Sequence, residues 1–159
     1  MLPEATLDQA RQVLATLDAR GESLATAESC TGGLIAAALT AIAGSSSVVM
    51  AGFVTYSNTA KVAMVGVQEA TLAAHGAVSD PVARQMAEGA LARAGVDVAL
   101  SCTGVAGPGG GSADKPVGLV FIARARRGAP TIVERHVFPG DRAAVRAATV
   151  AAALRLAVD

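Results

Sequence analysis

The chain has 159 residues, with 13 basic and 13 acidic side chains and a formal net charge of zero, so it lacks the basic excess that marks a nucleic-acid binder. Hydrophobic residues make up 52%, but Ala supplies much of that share, and no run approaches the ~20 apolar residues needed to cross a bilayer. The opening residues carry Glu4, Asp8, Asp18 and two arginines, unlike a signal peptide, and the whole reads as one soluble, cytoplasmic domain over residues 1–159.

In chain order, Leu7, Ala10, Val13, Leu14 and Leu17 recur at helical spacing and predict an amphipathic helix ending near Gly21, with Thr6 and Gln9 as a capping box. Leu24 to Ala27 reads as a short strand. Leu34, Ile35, Ala38, Leu39 and Ile42 then predict a helix over Thr31 to Ala43, stopped by Gly44. Val48 to Tyr56 suits a strand with a bulge at Gly52, followed by a short helix capped by Asn58 and a helical piece from Glu69 to Ala74. Ser79-Asp80-Pro81 opens a helix that runs over Val82 to Ala94 and ends at Gly95. Val96 to Ser101 is a central strand. Val117 to Ala125 and Thr131 to Phe138 flank a short link and predict an antiparallel hairpin, and Asp141 to Leu156 is a last helix. The alternation predicts a three-layer α/β/α sandwich around a mixed, mostly parallel sheet of about five strands.

Two loops leave the carboxyl ends of predicted central strands, the edge at which open α/β sheets bind ligands. The first is Ala27-Glu28-Ser29-Cys30-Thr31-Gly32-Gly33. A hydroxyl there caps a helix, or it is a nucleophile whose oxyanion is held by backbone N–H groups. The second, from Thr103 to Lys115, is too glycine-rich for regular structure and matches neither a P-loop nor a dinucleotide fingerprint, so it is a phosphate-binding or a merely flexible loop. Of the two histidines, His75 and His136, neither has an acidic residue at a telling offset, and a Ser-His-Asp triad finds no support. Lysine is scarcer still than arginine: only Lys61 and Lys115 occur. Lys61 is a surface charge or, if burial lowers its pKa, a base for Ser29. Cys30 and Cys102 are too few for a zinc site, and no metal or other cofactor is expected.

Taken together, the 27–33 phrase, Ala43-Gly44-Ser45-Ser46, Val54-Thr55-Tyr56-Ser57-Asn58 with Lys61, His75-Gly76-Ala77-Val78-Ser79, Thr103-Gly104-Val105-Ala106-Gly107-Pro108, Lys115-Pro116-Val117-Gly118 and Phe138-Pro139-Gly140-Asp141-Arg142 resemble, block for block, the C-terminal domain of the competence- and damage-inducible protein CinA. The resemblance implies a stand-alone amidohydrolase that converts nicotinamide mononucleotide and water to nicotinate mononucleotide and ammonia. It implies Ser29 as nucleophile, Lys61 and Tyr56 as acid–base partners, and the backbone of Thr31, Gly32 and Gly33 as oxyanion donors. It places Ser46, Thr103, Gly107 and Arg142 around the substrate, Arg suiting phosphate, and implies a homodimer or larger assembly. The alternative is a module that binds a pyridine nucleotide or another phosphate ligand without hydrolysing it. A general esterase or amidase is a third reading.

Overall fold

Two segments combine strand-forming sequence with burial on both faces, and the rest of the chain is layered around them. β1 (Leu24–Glu28) and β3 (Val98–Gly104) are buried at every residue except the last of β3, as parallel strands covered on both sides must be. The computed structural model, which describes residues 2–159, pairs them in a five-stranded sheet that also holds β2 (Val49–Val54), β4 (Leu119–Arg126) and β5 (Ile132–Val137), in the order β2-β1-β3-β4-β5. β2, β1 and β3 are parallel, while β4 runs antiparallel to both β3 and β5. β4 alone is therefore reversed, and the sheet is mixed with most strands pointing one way.

On one face lie α1 (Glu4–Ala19), α2 (Leu34–Thr40) and α6 (Arg142–Ala157), and on the other α3 (Asn58–Val65), α4 (Glu69–His75) and α5 (Asp80–Ala94). Leu17, Leu24, Ile35, Leu39, Leu100 and Leu154 fill the first interface, and Val65, Val82, Met86 and Ala99 the second. Each large aliphatic side chain so buried contributes about 1.5–3 kcal/mol. Helix α3 approaches α5 at Gly89, where a Cβ would lie 1.7 Å from the Val65 carbonyl oxygen, so only hydrogen fits there. No helix among the described residues is long and apolar enough to cross a membrane.

Several local expectations give way to tertiary contacts. The Thr6–Gln9 capping box does not form: α1 starts earlier, after Pro3, and Gln9 Nε2 instead donates to Ala151 O on α6 at 2.8 Å. Helix α2 begins at Leu34, not Thr31, because Gly32 and Gly33 take positive φ of 60° and 108° and hold the preceding residues in a turn. Gly52 pairs regularly with Thr26, and the irregularity falls instead between Leu24 and Ala25. At Gly52 the constraint is space, since a Cβ would meet Thr26 Oγ1 at 3.2 Å and Ala36 at 3.3 Å. The cap of α3 is Ser57, whose side chain accepts from Ala60 N, while Asn58 is the first helical residue.

Candidate active site

The chain runs from β1 out to edge strand β2 and then back to β3 on the other side of β1, so the loops leaving β1 and β3 open a crevice at the carboxyl ends of these strands. Ser29 sits at that point. Its N–H donates to Cys102 O at 3.1 Å, which extends the β1–β3 ladder by one residue and fixes the backbone beneath the hydroxyl.

Glu28 holds the turn from below. It is 1% exposed, and its Oε1 accepts from Thr31 Oγ1 at 2.6 Å and Ile35 N at 2.8 Å. Oε2 accepts from Ala36 N at 3.0 Å and Thr26 Oγ1 at 3.3 Å. The carboxylate therefore occupies the start of α2, whose free N–H groups would otherwise lack partners. Glu28 O in turn accepts from Thr55 N at 2.8 Å. That bond ties the strand that leads into Ser29 to the segment that carries Lys61.

Lys61 is 1% exposed, although it is a residue type seldom buried. Its Nζ lies 3.1 Å from Ser29 Oγ, 2.8 Å from Thr55 O and 3.3 Å from Tyr56 O. All three partners are uncharged oxygens. Burial pushes the Lys61 pKa below the ordinary lysine value, with the Cys102 and Cys30 thiols pulling the other way. A neutral amine gives its two N–H bonds to the two carbonyls and turns its lone pair toward the Ser29 hydroxyl, the arrangement a general base requires.

These groups open onto a cavity of about 230 Å³ lined by Ser29, Cys30, Tyr56, Lys61, Thr103 and Arg142 among others. Thr103 Oγ1 donates to Ala77 O at 2.9 Å. Arg142 Nη1 donates to Gly107 O at 2.9 Å, which brings Gly107 beside the cavity, and Nη2 donates to Tyr56 Oη at 3.1 Å. The Tyr56 side chain thus meets Arg142 at an exposed rim and not Lys61, which touches only its backbone carbonyl.

Four residues expected here do not line this cavity. Ser46 is exposed in a 3-10 turn (Ser45–Ser47) before β2, at the amino edge of the sheet, about one strand length or ~20 Å from Ser29. Thr31, Gly32 and Gly33 are absent from the cavity wall. The Thr31 side chain turns inward to Glu28, and the Gly32 N–H is spent on Ser29 O at 3.0 Å. His136 pairs with Glu134 and stacks on Phe138, and neither it nor His75 lines the cavity. Cys30 and Cys102 are free thiols. Their mutual hydrogen bond pulls Cys30 down and, with burial, pushes Cys102 up, while Thr31 Oγ1 lies 3.1 Å from Cys102 Sγ.

Sequence reasoning assigned no role to Glu28, Thr55 or Arg146. Arg146 stands one helical turn beyond Arg142, the one signal that it shares the same face. Its Nε donates to Cys30 O at 3.2 Å and its Nη2 to Thr31 O at 3.1 Å.

The model of the CinA C-terminal domain matches residues 6–159. The chain belongs to the CinA C-terminal domain family. Among its relatives, the nicotinamide-nucleotide amidohydrolase PncC of Escherichia coli (strain K12) is 55% identical over 144 residues, which cover 91% of this chain and 87% of that protein. A putative competence-damage inducible protein of Symbiobacterium thermophilum is 54% identical over 151 residues, 90% of this chain but 35% of the relative. Similar CinA-family sequence thus occurs within longer proteins. The crystal structure of competence/damage inducible protein CihA from Agrobacterium tumefaciens superposes with a TM-score of 0.96 at 48% identity, covering 98% of this chain and 95% of the other. This CinA-family chain therefore has the mixed-sheet sandwich of its solved relatives.

Proposed function

We propose that this CinA-family domain is a nicotinamide-nucleotide amidohydrolase, hydrolysing the carboxamide of nicotinamide mononucleotide to give nicotinate mononucleotide and ammonia. The relatives named for this activity support it, and one geometric observation carries the chemistry: a buried lysine amine, held by two carbonyls, 3.1 Å from a serine hydroxyl at the floor of a cavity. Neutral Lys61 takes the Ser29 proton as Oγ attacks the carboxamide carbon. Cys30, the residue after the nucleophile, lines the cavity at the position from which a strand-to-helix elbow supplies an oxyanion N–H. Protonated Lys61 then passes its proton to the departing nitrogen, ammonia leaves, and an acyl ester remains on Ser29. Water, relieved of a proton by Lys61, breaks that ester and restores the hydroxyl.

Thr103 and Arg142 face the bound substrate, with Gly107 and Tyr56 orienting the guanidinium. The reading extends to a single deamidase unit working in the cytoplasm as a homodimer or larger assembly. Apolar side chains exposed on edge strand β2, Met50 and Val54, are consistent with contact between copies. Ammonia release from nicotinamide mononucleotide tests the activity: Ser29→Ala and Lys61→Ala each lose at least ~10³-fold in kcat, in the range removal of a nucleophile or its base produces. Turnover by Ser29→Ala at the parent rate refutes the mechanism.

A further inference from the structure

The catalytic cavity is small for its proposed substrate. At about 230 Å³ it falls below the ~300–1,000 Å³ typical of pockets that enclose a ligand of nucleotide size. A second cavity of about 630 Å³ adjoins it and shares Ala106 and Arg142 as common wall. A ring whose carboxamide reaches Ser29 must extend past Arg142, and this second space is where such an extension leads.

The second cavity is mostly apolar, with its charge concentrated on one wall. Arg142 and Arg146, one turn apart on α6, face it together with Asp141. The Asp141 carboxylate caps the helix, accepting from Ala144 N at 2.9 Å, so two guanidinium groups stand against one carboxylate already engaged. Arg146 spends Nε and Nη2 on the carbonyls of Cys30 and Thr31, which leaves Nη1 without a hydrogen-bond partner among the described residues.

From this arrangement we infer that Arg146 is a specificity-determining residue that receives the phosphate monoester of the substrate in the second cavity while gripping the turn that carries Ser29. The inference rests on the nucleotide reading above. A phosphate dianion supplies the acceptor that Nη1 lacks and, through the rigid guanidinium plane, steadies the consecutive carbonyls of Cys30 and Thr31. Binding energy gained far from the reacting carbon is thereby used to orient the nucleophile. The dephosphorylated nucleoside, nicotinamide riboside, consequently loses kcat as well as affinity.

Binding is measured on the Ser29→Ala background, where no chemistry intervenes, with nicotinamide mononucleotide and nicotinamide riboside as paired probes. Arg146→Met weakens the nucleotide at least ~10-fold more than the riboside, the scale of a lost charge-assisted hydrogen bond. Arg146→Lys keeps the cation but cannot span both carbonyls; it gives an intermediate preference and decides the matter if Arg146→Met fails to fold. In the active chain, the ratio of kcat/KM for the two substrates follows the same order. Equal losses for both ligands in these variants, or a preference that persists unchanged, reduce Arg146 to a brace for the turn and overturn the inference. No nucleotide binding at all overturns it too. Should the intact chain release no ammonia while the Arg146-dependent preference for the nucleotide persists, the deamidase reading fails and the phosphate site stands.

Discussion

Replacing Glu28 by Gln changes a single atom type at the base of the turn that carries Ser29, and the hydrogen bonds indicate its cost. The carboxylate accepts four bonds, from two backbone N–H groups and two threonine hydroxyls. An amide has only one oxygen. The better orientation keeps that oxygen at 2.8 Å from Ile35 N and 2.6 Å from Thr31 Oγ1 and points the NH₂ at Thr26, whose hydroxyl can turn to accept. Ala36 N is then left facing a donor in a buried site. Loss of one bond to a charged acceptor, with its N–H unsatisfied, costs ~2–3 kcal/mol, or a fall in Tm of about 4–12 °C for a chain of this size. The strand carrying Ser29 also loosens, and a misplacement approaching 1 Å costs ~10²-fold in rate. Thermal unfolding alongside ammonia release measures both. If Glu28→Gln melts with the parent and keeps its kcat, the idea that this carboxylate seats the nucleophile is wrong.

Lys61→Met should abolish turnover while changing how stability depends on pH. The folded-state pKa of Lys61 lies below its unfolded value, so between the two values the unfolded chain binds more protons and stability rises with pH. Below that window the full cost of burying the ammonium is present. The parent therefore gains on the variant as pH climbs through the window, and urea midpoints that move in parallel would show that Lys61 carries no such cost. For the same reason kcat/KM in the parent rises with pH as Lys61 loses its proton, and a flat alkaline limb removes it as the base. Gly89→Ala forces a Cβ to within 1.7 Å of Val65 O and pushes α3 off α5. A loss of ~1–3 kcal/mol or more, accompanied by reduced kcat because α3 carries Lys61, is expected in urea titration and steady-state assays. Tyr56→Phe removes the acceptor of Arg142 Nη2 without touching the carbonyl that holds Lys61. It raises KM more than it lowers kcat, and the reverse pattern would assign the phenol to proton transfer.

The sandwich, its mixed sheet and the β4–β5 hairpin were legible because local patterns carry them: helical spacing of Leu and Ala, apolar runs for the central strands, and Gly or Pro at the breaks. The turn that carries Ser29 was legible too, since it follows a buried strand and two glycines permit its positive-φ exit. What sequence alone left open was the state of Lys61. A lysine near Asn58 reads as solvated until α3 is packed against the sheet and α5, and that packing buries its amine between the Thr55 and Tyr56 carbonyls. Where Ser46 and the Thr31–Gly33 backbone lie relative to the cavity was not legible, because neighbours in sequence or motif need not share a cavity wall: the Gly32 N–H is spent on Ser29 O, and Ser46 stands at the opposite edge of the sheet. Gln9 and Arg146, far apart in sequence from the carbonyls they bind, show the same limit. Periodicity and punctuation are properties of a segment, whereas burial, pKa and the partner of a side chain belong to elements brought together from distant parts of the chain.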